Sequence, residues 1–131
     1  MSNPDTKPGG DWLKIVTEPD PQRFASAFTG NARLDLSVTS GPLIGPENLR
    51  RYFNASRGMF QRIAFTHETA AGSRTCLEWE GEFEGRDIAG TTILVRNADG
   101  AIESIQLYHR PFEQVIAFST ELAKRLEAPP R

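Results

Sequence analysis

The clearest pattern of apolar and polar positions lies between Thr75 and Arg110, where three runs rich in strand-forming residues are separated by turns at 84–87 and 97–100. In the first run one set of positions is apolar or glycine and the alternate set is mostly acidic: Leu77, Trp79, Gly81 and Phe83 against Cys76, Glu78, Glu80 and Glu82. An alternation with a period of two places one set on each face of a sheet. Asp99-Gly100 supplies the positive φ that a hairpin turn needs. The pattern predicts an antiparallel meander.

The rest of the chain predicts four helices and two more strands. In chain order these are short helices from Asp11 and Asp20, a strand over 32–39, a helix from Pro46 to about Phe60, a strand over 63–69 and, after the meander, a helix over 111–127. Helices gathered on one face of an antiparallel sheet make an α+β fold. We expect a curved antiparallel sheet that wraps around the N-terminal helices as a cone with an apolar cavity, and an extra C-terminal helix.

Length and composition indicate one domain without nucleic-acid or membrane contacts. The 131 residues suit a single domain, predicted over 11–127 with a disordered arm at 1–10 and a tail at 128–131. A net charge of −2 implies no basic surface for nucleic acid. The chain lacks an apolar run long enough to span a membrane, a signal-peptide core and a glycine-rich phosphate loop. With a single cysteine, Cys76, these features predict a cytoplasmic protein without a cofactor.

The order of elements and two local sequences resemble the nuclear transport factor 2-like superfamily. The local sequences are GPENLRRYF at 45–53, after a strand, and DGAIESIQLYHRP at 99–111, at the end of the meander. This cone-shaped fold is shared by ketosteroid isomerases and SnoaL-like polyketide cyclases. The resemblance covers about residues 11–110 and implies a cone-shaped α+β barrel with an internal pocket. It implies no single activity, because the fold hosts enzymes and non-enzymes.

The same resemblance argues against steroid isomerisation. When the ketosteroid isomerase pattern is laid over residues 12–53 without a gap, Trp12 falls at the oxyanion-hole tyrosine and Leu36 at the general-base aspartate. The second oxyanion-hole residue, a protonated aspartate, falls at Thr92, or at Thr91 if the register slips by one. A leucine cannot accept a proton, and an indole donates more weakly than a phenol. All three chemical positions are therefore changed.

Alternation and resemblance together predict which side chains face the cavity. From the strands these are Leu36, His67, Leu77, Trp79, Gly81, Phe83, Thr92, Leu94, Ile105, Leu107 and His109. Ligand sites are mainly apolar concave surfaces with a few directed polar groups. We expect a small apolar or aromatic molecule to bind there, in contact with Trp12, Leu36, Phe53, Phe60, His67, Trp79, Thr92, Leu107 and His109. The alternative is a structural or protein-interaction module whose cavity is filled.

His67 and His109 are the only histidines and the candidate catalytic residues. A neutral imidazole beside an apolar cavity can act as a general acid or base, as a cofactor-independent cyclase, isomerase or dehydratase would require. Each could instead be a core histidine hydrogen-bonded to a carbonyl or a hydroxyl. They predict no metal site, because zinc takes three or four ligands and Cys76 falls on the other face.

The outer face of the meander predicts contact between two copies of the chain. It mixes acids with apolar and basic residues: Glu78, Glu80, Glu82, Ile93, Val95, Tyr108, Arg74 and Arg110. Such a surface suits a two-fold contact in which the glutamates of one copy meet the arginines of the other. We therefore expect a homodimer through this face.

Overall fold

The computed structural model describes residues 7–127 and contains one curved, six-stranded sheet with helices packed on its concave side. The strand order is β2-β1-β6-β5-β4-β3, so the sheet has two free edges and does not close. The elements are α1 (Gly10–Val16), α2 (Pro21–Ala25), β1 (Phe28–Leu36), β2 (Leu43–Ile44), α3 (Pro46–Arg57), β3 (Arg62–Ala71), β4 (Arg74–Phe83), β5 (Arg86–Arg96), β6 (Ile102–Arg110) and α4 (Phe112–Glu127).

The predicted α+β fold is confirmed, but two strand pairings were not foreseen. The short strand β2, which pairs with β1, was not predicted, and neither was the contact between β1 and β6. All neighbouring strands are antiparallel except β1 and β6, which run parallel with Leu34 opposite Ile105. Parallel neighbours need a long crossover, and here α3 and the other four strands lie between them in the chain. β1 also begins at Phe28, four residues before the predicted start at 32.

Helix α4 packs against α3, β5 and β6, on the concave side of the sheet. Its amphipathic pattern buries Gln114, Phe118 and Leu122. The side-chain Nε2 of Gln114 donates hydrogen bonds to the carbonyls of Phe83 at 2.8 Å and Arg86 at 3.1 Å. These bonds fix the helix to the β4–β5 turn. The C-terminal helix therefore forms part of the core.

The ends of the predicted domain are only partly covered by the described residues. Residues 1–6 of the predicted arm and residues 128–131 of the predicted tail lie outside them. Helix α1 begins at Gly10, within the range assigned to the arm. The backbone N–H of Gly9 donates to Glu68 Oε1 at 2.8 Å, which ties the start of α1 to β3. Within residues 7–127, the helices are all too short or too polar to cross a membrane.

Candidate functional site

The strand register brings four residues into one row across the concave face. Phe65 on β3 lies opposite Trp79 on β4, Trp79 opposite Gly90 on β5, and Gly90 opposite His109 on β6. A Cβ atom at Gly90 would stand 2.2 Å from Cζ2 of Trp79. Because Gly90 has no side chain, the indole lies across β5 and meets the imidazole of His109 edge-on, with ring centroids 5.2 Å apart.

A pocket of about 80 Å³ lies between this row and the helices α1 and α3. Most of its wall is apolar, and the polar side chains come from both helices, β5 and β6. The lining residues are Trp12, Leu13, Val16, Thr17, Tyr52, Phe53, Ser56, Arg57, Phe60, Ile63, Phe65, Trp79, Thr92, Leu107 and His109. Seven of the nine residues predicted to contact a ligand are in this wall: Trp12, Phe53, Phe60, Trp79, Thr92, Leu107 and His109.

The predicted inward orientation of His67 is wrong because β3 contains a bulge. Phe65 lies opposite Trp79, and regular pairing would put His67 opposite Leu77, but the register shifts and His67 lies opposite Glu78. One extra residue in a strand reverses the faces of all positions that follow it. The side chain of His67 is 71% exposed, and its Nδ1 lies 3.0 Å from Thr66 Oγ1 and 3.9 Å from the Glu78 carboxylate.

Leu36, the other predicted residue that does not line the pocket, lies at the end of β1. It is half-buried, stands in register with Leu107 and packs against the core. The pocket stops at Leu107 on that side. Leu36 therefore supports the wall without forming part of it.

His109 is the most enclosed ionisable side chain of the pocket apart from Tyr52, with 7% of its surface exposed. Its ring packs against Trp79 and against Phe118 of α4, whose ring centroid is 4.9 Å away. Desolvation by burial lowers the pKa of His109 to about 4, so the imidazole is neutral at neutral pH. Nε2 is buried and has no hydrogen-bond partner among the described residues.

The hydroxyl of Ser37 is the polar group placed to influence the tautomer of His109. Its Oγ accepts a hydrogen bond from the backbone N–H of His109 at 2.9 Å and lies 3.4 Å from the ring Nδ1. A hydroxyl oxygen has two lone pairs, so Oγ can accept the backbone N–H and still either donate its own hydrogen to Nδ1 or accept one from it. A neutral imidazole that accepts at Nδ1 carries its proton on Nε2. We assign the tautomer in which Ser37 donates to Nδ1, which makes His109 Nε2 an N–H donor without an acceptor among residues 7–127.

The pocket also contains polar residues that the sequence did not single out. Burial raises the pKa of Tyr52 well above its usual range, and a hydrogen bond with Ser56 opposes that rise in part. Both residues share the apolar stripe of α3 with Phe53, which was the available signal. Arg57 lies one helical turn after Phe53. The apolar stripe of α3 does not predict that this charged residue lines the pocket. Among residues 7–127, no three His, Cys, Asp or Glu side chains come together as a metal site would require.

Comparison with solved structures identifies the fold. A steroid delta-isomerase from Pseudomonas aeruginosa superposes with a TM-score of 0.79 at 19% identity, over 88% of this chain and 86% of that one. A protein of the SnoaL-like family from Agrobacterium tumefaciens str. C58 gives 0.57 at 19% identity, over 76% and 92%. An NTF-2 like protein of unknown function from Burkholderia xenovorans LB400 gives 0.61 at 17% identity, over 77% and 78%. The chain has the nuclear transport factor 2-like fold.

The comparisons support this fold without supporting one of its activities. At identities below 20%, the similarity to these neighbours shows that the chain shares their architecture. It does not show that the chain shares their chemistry. No family model matches the chain, and no curated protein matches it. The observations that bear on the function of this protein therefore come from its pocket.

Proposed function

We propose that this protein binds a small, mostly apolar molecule that has one hydrogen-bond acceptor, such as a ketone oxygen, and that His109 Nε2–H donates to it. The observation that carries the proposal is the unpartnered Nε2 of a buried ring that lines an apolar pocket. An unsatisfied buried donor costs about 1–3 kcal/mol. A ligand acceptor would remove that cost, while the aromatic wall would bury the rest of the molecule.

The size of the pocket limits the ligand. A cavity of about 150 Å³ is known to hold one benzene molecule, and this pocket of about 80 Å³ is roughly half that size. The mouth is formed partly by Leu13 and Ile63, two exposed apolar side chains. A short chain would therefore fit inside, and a larger ligand would extend between these residues.

Binding of 2-pentanone, followed through tryptophan fluorescence, tests the proposal. Both tryptophans of the chain, Trp12 and Trp79, line the pocket, so their emission reports occupancy. We expect saturable binding that is weakened about fivefold in His109→Leu, the effect of losing one hydrogen bond of about 1 kcal/mol. His109→Gln keeps a donor and should lose less.

His67→Gln is the matched control, because it changes the exposed histidine outside the pocket and should bind as the native protein does. Equal affinity of the native protein and His109→Leu would refute the role of His109. A lack of saturable binding in fluorescence and calorimetry would instead favour a structural module.

The second candidate is a cofactor-independent enzyme in which His109 transfers a proton. The same unpartnered Nε2 favours it, because a reacting atom could come within reach. Against it, a general acid or base works best with a pKa near the working pH, and the pKa of His109 is about 4. Deuterium exchange at the α-carbons of 2-pentanone separates the two candidates. Exchange that depends on the native protein and disappears in His109→Gln would favour the enzyme, whereas a binding protein leaves the protons in place.

We also propose that two copies associate through the outer face of the sheet. Glu80, Ala89 and Arg110 form one cross-strand row there, and the exposed Tyr108 lies next to Arg110 along β6. Glu80→Arg and Arg110→Glu should each weaken the dimer in sedimentation experiments, and the double exchange should restore it in part. A monomeric native protein at high concentration would refute this contact.

A further inference from the structure

Arg57 is the one formally charged side chain in the pocket wall, and its charge has no carboxylate partner among the described residues. It is the last residue of α3 and is exposed at the mouth. Its Nη1 donates to the carbonyl of Val16 at 3.1 Å, and its Nη2 donates to Asn54 Oδ1 at 3.3 Å. Both acceptors are neutral, and a guanidinium has five N–H donors, so three are unused.

The groups around Arg57 in the described part of the chain favour a cation at this position, but none of them is a carboxylate that would neutralise its charge. The C-terminal ends of α1 and α3 meet beside it, and helix C-termini carry a partial negative charge that favours a cation. Within residues 7–127, no Asp or Glu lines the pocket, and none comes within 4 Å of the guanidinium. An anion at the mouth would therefore meet a cation and no competing carboxylate.

We infer that the ligand is a short oxo acid, whose carboxylate is held by Arg57 at the mouth while its carbonyl accepts from His109 inside. This inference rests on the proposed function. Arginine presents its donors in a planar fork that matches a carboxylate. His109 is enclosed and Arg57 is exposed, and both line the same mostly apolar pocket.

Three probes with related carbon chains test the inference: 2-pentanone, 5-oxohexanamide and 5-oxohexanoate. Binding of the ketone tests the proposed function without a charged group. The amide and the acid differ chiefly in charge, so their comparison tests recognition of the carboxylate. We expect the native protein to bind the acid about two- to fivefold more tightly than the amide, the range of an ion pair in contact with water. That preference should shrink as salt is raised and should disappear in Arg57→Gln, while Arg57→Lys should keep part of it.

Arg51→Gln is the matched control, since Arg51 is also an exposed arginine of α3 that donates to a carbonyl at a helix end, that of Leu126, but lies outside the pocket. It should keep the preference for the acid. If the native protein binds the ketone and shows no preference for the acid, or if Arg57→Gln keeps the preference, the inference is wrong and the proposed function stands. If none of the probes binds, the proposed function fails as well.

Discussion

Ser37 and His109 are joined twice: Ser37 Oγ accepts from the backbone N–H of His109 at 2.9 Å and lies 3.4 Å from Nδ1 of the same residue's ring. The two residues are brought together by the parallel pairing of β1 and β6, since Ser37 N also donates to the carbonyl of Leu107 at 3.1 Å. One hydroxyl thus contacts both the backbone and the ring of His109, the most enclosed ionisable residue in the pocket after Tyr52.

Replacing Ser37 with alanine should remove the preference of His109 for one tautomer. In the native protein we expect Nε2 to carry the proton, because the serine hydroxyl is positioned to donate to Nδ1. Nitrogen chemical shifts of the imidazole, measured by NMR, distinguish a protonated from an unprotonated ring nitrogen. Ser37→Ala should give a mixture of tautomers and lower the free energy of unfolding by about 1 kcal/mol. A native protein with its proton on Nδ1 would contradict the assignment and the proposed donor.

The burial of His109 should make the fold less stable in mild acid. Its pKa is about 4 in the folded protein and about 6.5 in the unfolded chain. The unfolded chain therefore binds more protons between these values, and the free energy of unfolding should fall as the pH drops from about 6.5 to about 4, by on the order of 3 kcal/mol. Urea unfolding of the native protein and of His109→Gln at several pH values isolates this contribution from that of the carboxylates.

His109→Gln should show a flatter pH dependence than the native protein over this window. If His109→Gln and the native protein lose stability in parallel, the imidazole is not held neutral by burial.

The sequence predicted the strand positions well wherever the ladder is regular. The alternation in β4, β5 and β6 correctly placed Trp79, Thr92 and His109 on the concave face, and they line the pocket. The same rule failed for His67, because a bulge depends on how two strands pair and leaves no trace in the alternation of one strand. The alternation along one strand predicts which face of the sheet a side chain occupies only up to the point where the pairing register changes.

Non-local packing was beyond what the sequence could show. The parallel contact of β1 with β6 joins residues about 70 positions apart in the chain, as Leu34 and Ile105 illustrate. The place of Arg57 in the pocket wall depends on how α3 lies against α1, which no helical stripe specifies. The pocket's size depends likewise on tertiary contacts, above all the indole of Trp79 lying over Gly90.

A methyl group added at Gly90 should disturb the pocket by displacing Trp79, which lines it. Its Cβ would lie 2.2 Å from the Trp79 ring and 2.4 Å from the carbonyl oxygen of Tyr108, and that backbone atom cannot move without disturbing β6. We expect Gly90→Ala to lower the free energy of unfolding by about 1–3 kcal/mol in urea titrations and to weaken binding of 2-pentanone. Gly30→Ala is the matched control, since nothing lies within 4 Å of its Cβ position. Equal stability of the two variants would contradict the close packing of Trp79 on β5.

Phe118 connects the C-terminal helix to the pocket. It is fully buried, and its ring packs against Phe60, Phe83 and His109 at centroid distances of 5.1, 5.1 and 4.9 Å. Phe118→Ala should lower the free energy of unfolding by about 3–5 kcal/mol, the usual cost of removing a buried aromatic ring. It should also open space behind His109 and allow larger ketones to bind.

Phe112→Ala is the matched control for Phe118→Ala, because Phe112 lies on the same helix with 72% of its surface exposed. Its substitution should change the stability by no more than about 0.5 kcal/mol. Urea titrations of both variants, together with fluorescence titrations with 2-pentanone and cyclohexanone, give the two readouts. If Phe118→Ala is destabilised but binds both ketones as the native protein does, α4 stabilises the fold without limiting the pocket. Tighter binding of cyclohexanone by this variant alone would show that a residue of the C-terminal helix sets the size of the ligand.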